Sequence, residues 1–356
     1  MFFKMYFSKI WENILVIIEV IMMIFIINVF ISGIIGLYNQ HHCLSALHQG
    51  DMYVLNANDK NIEQVIETVE NIDDVTGVGY TISGQTKIDG DVYETIFYSP
   101  ALYQLKSHVT KGDWFIEKNM PQIVICGPEL SFMKSVGDIL YVNDIKAEIV
   151  GIMDYAPYAL SLDAWSDDYS LDMGVLTIPA DGFVLCNDER LLDPLGEKSY
   201  GTNIVILTDK DAKLFKKLEA LGDVHNIKEY ENASSRRYRI QSRMEMMSGI
   251  IAVVVIMIII EGLKRIFFRQ DLTMTAVFKY CGLTKKKYVA IKTGHMTINV
   301  IIAVFVALYP LIDKSFAQMM LRGASFGNVN ALISFIIVAA IMILTITHSM
   351  MIYKKL

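Results

Sequence analysis

The sequence predicts a membrane protein, α-helical with four transmembrane helices, plus an α+β extracytoplasmic domain: a split ferredoxin-like lobe with an inserted β-rich lobe. Three observations predict it. Of 356 residues, 53% are hydrophobic and only 20% are charged, with a mean hydropathy of +0.38, too apolar for a pair of soluble domains. Four windows approach or reach the roughly 20 apolar residues that cross ~30 Å of hydrocarbon as a helix. The charges are also segregated. Residues 38–243 hold 18 Lys+Arg against 32 Asp+Glu, a net −14, whereas 263–293 hold eight basic residues against Asp271 alone, a net +7.

In chain order, residues 1–13 form a cytoplasmic amino terminus, with Lys4 and Lys9 against Glu12. Transmembrane helix 1 spans 14–37, interrupted only by Glu19, Asn28, Ser32 and two glycines. It is long for a signal-peptide core and no A-x-A cleavage site follows closely, so it is read as a retained anchor. The extracytoplasmic domain covers 38–245, and its charge run Arg236, Arg237, Arg239, Arg243 reads as a helical stalk with a solvated face. Transmembrane helix 2 spans 246–263, the cytoplasmic coupling loop 264–293 and transmembrane helix 3 294–312. The windows Met247–Leu263 and Met296–Ile312 hold 17 residues each, so these helices stand nearly upright or their flanks snorkel. An outer loop covers 313–330, and transmembrane helix 4 spans 331–353 before Lys354 and Lys355. Short basic loops stay in the cytoplasm, which puts both termini there.

Within the large domain, Asp51–Ala57 alternates like a strand, and Asn61–Asn71 places Ile62, Val65, Ile66 and Val69 at helical spacing. Val75–Ile82 and Val92–Tyr98 read as strands, with Gly90 in the turn before Val92. The same grammar returns at Asn203–Leu207 (strand), Asp209–Leu221 (helix) and Val224–Tyr230 (strand). Two such β-α-β pieces, 51–100 and 203–230, predict the split ferredoxin-like lobe, with 101–200 inserted. Inside the insertion Ile123–Cys126, Ile139–Val142 and Lys146–Ile152 are strand-like, while Tyr155–Tyr169 lacks a period and reads as a loop.

Lys111-Gly112-Asp113-Trp114-Phe115, then Ile123-Val124-Ile125, Val136-Gly137-Asp138 and Ala147-Glu148-Ile149-Val150-Gly151-Ile152 follow one another in order. Together they resemble the outer-domain signature of MacB/FtsX-type ABC transporter permeases. A second segment, Arg269-Gln270-Asp271-Leu272 with Val277-Phe278-Lys279-Tyr280-Cys281-Gly282-Leu283-Thr284-Lys285-Lys286, is similar to the intracellular segment of that family. Asp271 stands where Glu is common, Tyr280-Cys281 replace a small apolar pair, and Leu283 replaces Ala. The resemblance implies a multi-pass subunit of a bacterial cell membrane, paired with a second permease chain as a homodimer or with a related permease. An ABC-type ATPase would drive it, with an extracytoplasmic accessory protein as a further partner. It implies export or extraction of a peptide, bacteriocin or other amphiphile. The alternative is a non-transporting mechanotransmission subunit that regulates an outer partner such as a cell-wall hydrolase.

The chemistry agrees with a non-enzymatic subunit. No G-x-x-x-x-G-K-[ST] loop occurs; Gly196-Glu197-Lys198-Ser199 lacks the upstream glycine. ATP hydrolysis would then reside in a separate chain, and no catalytic residue or cofactor is assigned. The expected ATPase-coupling residues are Arg269, Asp271, Phe278, Lys279, Gly282, Lys285, Lys286 and Lys287. Gly282 lets a short helix end and turn, and the lysines meet either acidic groups of the ATPase or membrane lipid phosphates. Gly112, Phe115, Gly137, Asp138 and Gly151 are the expected structural motif of the outer domain. Glu19, Asn28 and Asn299 are the intramembrane polar residues; Glu19 snorkels or is protonated, or it pairs with Asn299, His295 or Lys264. His41, His42, Cys43 and His48 are metal-capable but lack a partner at fixed spacing, so no metal site is assigned. Cys43, Cys126 and Cys186 allow at most one disulfide; labelling from outside is expected to reach Cys126 or Cys186. The −14 of the outer domain excludes nucleic acid as a partner and favours cationic ligands.

Overall fold

The computed structural model describes residues 10–45, 52–57, 61–104, 109–132, 134–162, 176–194, 196–208, 212–226, 236, 238–252, 254–255, 258–259, 276–277, 279–282, 284–321 and 324–355. The chain divides into two compact units. A helical unit comprises Met1–Gly33, Met244–Arg322 and Phe326–Leu356; a β-rich unit comprises Ile34–Arg243 with Gly323–Ser325. Helix α1, Ile10–Ser45, is one unbroken run of 36 residues, and it contains no proline to interrupt the i→i−4 ladder.

In the β-rich unit, β1 (Met52–Asn56), α2 (Ile62–Glu70) and β2 (Val75–Gly79) open the fold. Asn61 caps α2 by accepting the Glu63 amide at 3.1 Å, and Val65, Ile66 and Val69 are its buried stripe. Next come β3 (Thr81–Ile88), β4 (Asp91–Tyr98), β5 (Lys111–Gly112), β6 (Gln122–Cys126), β7 (Ile139–Val142), β8 (Ile145–Met153), β9 (Tyr158–Leu160), β10 (Thr177–Pro179), β11 (Val184–Cys186) and β12 (Ser199–Tyr200). Strand β13 (Asn203–Thr208), helix α3 (Ala212–Glu219) and β14 (Asp223–Asn226) complete it.

The strands form two main sheets. The first is antiparallel in the order β14-β1-β13-β2. In the second, β3-β4-β11-β6-β8 pair in series, and β7 pairs with both β8 and β3. Six strands therefore close into a ring, joined at its last step through Ile88 and Val142.

Alternation along each strand sorts the side chains into three apolar layers. Ile204 and Ile206 of β13 meet α2 and α3 through Val65, Val69, Leu214 and Leu218. Val205 and Leu207 face the other way, into a layer with Ile96, Tyr98, Val124, Leu185 and Cys126. Ile123, Ile125, Ile149, Val184 and Cys186 pack together in the third layer with Phe97 and Val142. All five residues of β6 are buried, as expected of a strand covered on both faces.

Two departures from the sequence reading have physical causes. Alternation reads Val75–Ile82 as one strand, but the chain leaves the first sheet at Gly79 and enters the second at Thr81. A Cβ on Gly79 would lie 2.3 Å from Leu102 Cδ2, and the Tyr80 amide donates to Ser99 Oγ at 2.9 Å instead of to a ladder. Residues 51–100 are therefore shared between the sheets. Tyr158–Leu160, read as loop, pairs with Thr177–Pro179; a three-residue strand is too short to show a period.

Three helices among the described residues are long and apolar enough to cross a membrane: Asn13–Cys43, Lys285–Ile312 and Asn328–Met351. The last two lie within helix α4, Lys285–Leu308, with its 3-10 extension Tyr309–Ile312, and helix α5, Asn328–Lys355. Both are longer than the apolar windows that announce them. Of the second expected span, residues 246–252, 254–255 and 258–259 are helical, and the remainder lies outside the described residues. The interval 313–330 contains a further helix, Lys314–Met320, capped by Asp313 accepting the Phe316 amide at 2.8 Å.

Candidate functional site: a basic turn and its helical support

The start of α4 presents the one stretch of the expected coupling segment that can be described. Residues 276–277 and 279–280 are helical. The Cys281 amide donates to Val277 O at 3.0 Å and the Gly282 amide to Lys279 O at 3.0 Å. Gly282 then reverses the chain at φ +86°, a left-handed conformation that glycine adopts without a Cβ penalty. Thr284, extended at φ −79° and ψ 155°, starts α4, and the Tyr288 amide donates to its carbonyl at 3.0 Å. The result is a helix-turn-helix knuckle. Tyr280 is 93% exposed and Val277 56%; Lys279, Lys285, Lys286 and Lys287 are exposed around them. Apolar side chains ringed by cations are suited to docking on a protein surface with acidic groups at its rim. Arg269, Asp271 and Phe278 lie outside the described residues.

Helix α4 is supported within the helical unit by small residues and amides. Ala303 and Ala307, fully or almost fully buried, pack with Val20, Ile24 and Ile337, and small side chains let helix backbones approach closely. Asn299 donates to Asn13 Oδ1 at 3.0 Å. Asn28 donates to Ile24 O at 2.8 Å and to Ser334 Oγ at 3.1 Å, and Asn330 donates to Asn28 Oδ1 at 3.0 Å. Asn28 and Asn330 are fully buried. Of the intramembrane polar residues read from sequence, Asn28 and Asn299 thus join α1 to α5 and α4 respectively. Glu19, on the same helix, is half-buried. Asn13, Asn330 and Ser334 escaped the sequence reading. Asn330 and Ser334 sit one helical turn apart at the entry to an apolar run, which is the signal that points to them.

Four of the five motif residues of the β-rich unit, all but Phe115, pair or bond along β8. Gly112 pairs with Gly151 across the β5–β8 ladder. Gly112 has φ +84°, and a Cβ there would lie 2.3 Å from Val150 O. A Cβ on Gly151 would lie 2.6 Å from Asp113 O. The Gly137 amide donates to Ile149 O at 2.8 Å, and Asp138 O accepts from Ile149 N at 2.9 Å. Asp138 Oδ2 closes its own turn by accepting the Ser135 amide at 2.7 Å. Phe115, 2% exposed, packs against Trp114 with ring centroids 4.6 Å apart. These positions are backbone architecture with no reactive group among them.

The cysteines correct one expectation. Cys126 and Cys186 are fully buried, because each points into an apolar layer, so outside labelling of the folded chain will not reach them. Burial pushes both thiols well above their ordinary value. None of Cys43, Cys126, Cys186 and the exposed Cys281 is joined in a disulfide. Among the described residues no group of three His, Cys, Asp or Glu is arranged to hold a metal.

No family profile matches the chain, and no curated protein matches it either. Among solved structures it is similar to the periplasmic region of MacB from Actinobacillus actinomycetemcomitans. The identity is 11% and the TM-score 0.31, over 53% of this chain and 94% of that one. It is also similar to the extracellular domain of the noncanonic ABC-type transporter YknZ from Gram-positive bacteria. There the identity is 13% and the TM-score 0.27, over 49% of this chain and 97% of that one. Both TM-scores lie below 0.5.

Proposed function

We propose that the chain is the transmembrane subunit of a MacB/FtsX-type ABC transporter. In this reading it couples ATP hydrolysis by a separate ATPase chain to export or extraction of a peptide, bacteriocin or other amphiphile. The observation that carries the proposal is the knuckle at 276–288: exposed Tyr280 and Val277, a Gly282 reversal, and three exposed lysines at the mouth of an apolar helix. It coincides with one of the two segments that resemble the family. The net +7 of residues 263–293 against −14 in 38–243 supports a cytoplasmic knuckle, cytoplasmic termini and an extracytoplasmic β-rich unit. The β-α-β pieces at its two ends then form the split ferredoxin-like lobe.

In the proposed cycle two such chains, identical or related, pair with two ATPase subunits. ATP binding closes the ATPases and displaces the knuckle, and α4 moves as a rigid rod. Its Ala303 and Ala307 face and the Asn299–Asn13 bond carry that movement to α1. The extracytoplasmic domains respond by gripping or releasing cargo, alone or with an accessory protein. The alternative, a mechanotransmission subunit without transport, uses the same steps and differs only in what the outer domains act on.

The test is a pull-down from gently solubilised membranes, in which an ABC-type ATPase is expected to co-purify. Gly282→Pro and the combined Lys285→Glu, Lys286→Glu, Lys287→Glu variant should lower its recovery while the chain stays in the membrane. Unchanged recovery in both variants, or no ATPase with the wild type, would overturn the assignment. ATP-dependent efflux in vesicles separates transport from mechanotransmission.

A further inference from the structure

The last turns of α1 lie within the β-rich unit, which begins at Ile34, and one face of them meets the β9–β10 hairpin. Gly36, Asn39, Gln40 and Cys43 recur at i, i+3, i+4 and i+7, the spacing of a single helix face. A Cβ on Gly36 would lie 3.5 Å from the Tyr158 ring. Gln40 Nε2 donates to Thr177 Oγ1 at 3.1 Å, and the buried Cys43 shares an apolar layer with Ala159 and Leu160. Between them, Asn39 Nδ2 donates to two successive carbonyls, Tyr155 O at 2.9 Å and Ala156 O at 2.8 Å.

The backbone that Asn39 grips is strained. Among the described residues, Asp89, Asn143, Asp144 and Ala156 are the non-glycines with positive φ. Asp and Asn tolerate the left-handed region because their short polar side chains bond locally. Ala156, at φ +45°, has no such group. It also precedes Pro157, and a proline ring drives the residue before it toward extended conformations. Such a conformation persists only where its surroundings impose it, and here the Asn39 carboxamide does so. The Ala180 amide donates to Pro157 O at 2.9 Å, which ties β10 to the same end of the hairpin. At the far end of β9, the Tyr98 hydroxyl donates to Leu160 O at 2.6 Å and the Asn203 amide to Leu162 O at 2.8 Å.

We propose that Ala156 is a two-state backbone switch, held left-handed by Asn39, whose relaxation to the extended region lifts the Tyr155–Tyr158 end of the hairpin off α1. Tyr98 and Asn203 anchor the other end, so the hairpin opens at one end without unfolding. The stored strain favours opening, and the two Asn39 bonds oppose it. Every residue of the switch belongs to the β-rich unit, so it is independent of the ATPase that the proposed function requires.

Hydrogen exchange of the full chain in nanodiscs reads the switch in peptides covering 155–162 and 176–181. Asn39→Ala, which removes the donor, should speed exchange there roughly tenfold or more. Ala156→Gly, which accepts positive φ without a Cβ, should slow exchange roughly threefold below wild type. The double variant should recover roughly threefold of the Asn39→Ala loss, a rescue that an asparagine holding unstrained backbone would not show. Peptides from β6 and β8 report folding, and where Asn39→Ala fails to fold, Ala156→Gly decides through the sign of its effect. Wild-type exchange in folded Asn39→Ala would overturn the grip. Exchange in Ala156→Gly as fast as wild type or faster, or a double variant as fast as Asn39→Ala, would overturn the stored strain and with it the switch.

Discussion

Gly112 and Gly151 lie directly opposite one another in the β5–β8 ladder, and neither has room for a Cβ. The clash at each is with backbone oxygen, which cannot swing away as the tip of a flexible side chain can. Gly112→Ala and Gly151→Ala are therefore expected to destabilise the β-rich unit by about 2–4 kcal/mol each. Gly137→Ala is the control: its φ is +94°, but a Cβ would meet nothing within 4 Å, so about 1 kcal/mol of left-handed strain is expected. Thermal unfolding of the three variants checks the order, and equal losses at Gly137 and Gly112 would refute the close-approach argument.

The Asn28–Asn330–Ser334 bonds predict non-additive mutational effects. Asn28→Leu leaves Asn330 without that carboxamide acceptor in an apolar setting and should cost about 1–2 kcal/mol. Asn330→Leu should cost a similar amount, and the double variant clearly less than the sum. A double-mutant cycle on unfolding in detergent should return a coupling of about 0.6–1.7 kcal/mol. Zero coupling would mean that the two amides do not hold α1 to α5.

The knuckle predicts an unequal division of binding energy. Tyr280 is the large exposed aromatic, so Tyr280→Ala should weaken ATPase binding roughly 30-fold, equivalent to about 2 kcal/mol. Gly282→Ala should cost only about 1 kcal/mol of local strain, since nothing lies within 4 Å of its Cβ position. Single lysine variants should chiefly steepen or flatten the salt dependence of association. Titration of the purified ATPase into nanodisc-held chain measures all three.

Stability should fall on the alkaline side. Burial holds the Cys126 and Cys186 thiols and the Tyr98 and Tyr103 hydroxyls above their ordinary values; burial and then Glu63 and Glu189 push Tyr200 up to about 12. Each raised group favours the folded state while protonated. That contribution is complete below the ordinary thiol value of 9.0 and is lost progressively as pH rises above it. Asp188 has the opposite sign. The Arg190 guanidinium holds its carboxyl below 3.8, so its contribution is present above that pH and lost as pH falls further. Unfolding midpoints from pH 7 to 11 should decline from about pH 9, with the decline shallower in Cys126→Ser, Cys186→Ser; an unchanged slope in that variant would remove the thiols from the account.

Several elements were legible in sequence because a local cause is enough to make them. Asn61 caps and Val65, Ile66 and Val69 stripe the helix that they announce. Strands β6, β7 and β8 lie within a residue or two of Ile123–Cys126, Ile139–Val142 and Lys146–Ile152, since alternation or continuous apolarity persists for four residues or more. The partners of Asn28 and Asn299 were not legible. A lone amide in an apolar run announces that it needs a partner, and not which of three helices supplies it.

By itself, the sequence determined the apolar helices, the segregation of charge and the placing of glycine at 112, 137, 151 and 282, because hydropathy, charge and backbone freedom are properties of single residues and short windows. Only the tertiary structure decided that β7 joins β3 to β8 and closes the ring. It alone brought Ser325 to Asp181 across 144 positions and put Tyr80 at the step between two sheets. Those pairings depend on which surfaces pack together, where Leu102 fills the space above Gly79 and the Ser325 amide reaches one oxygen of a buried carboxylate.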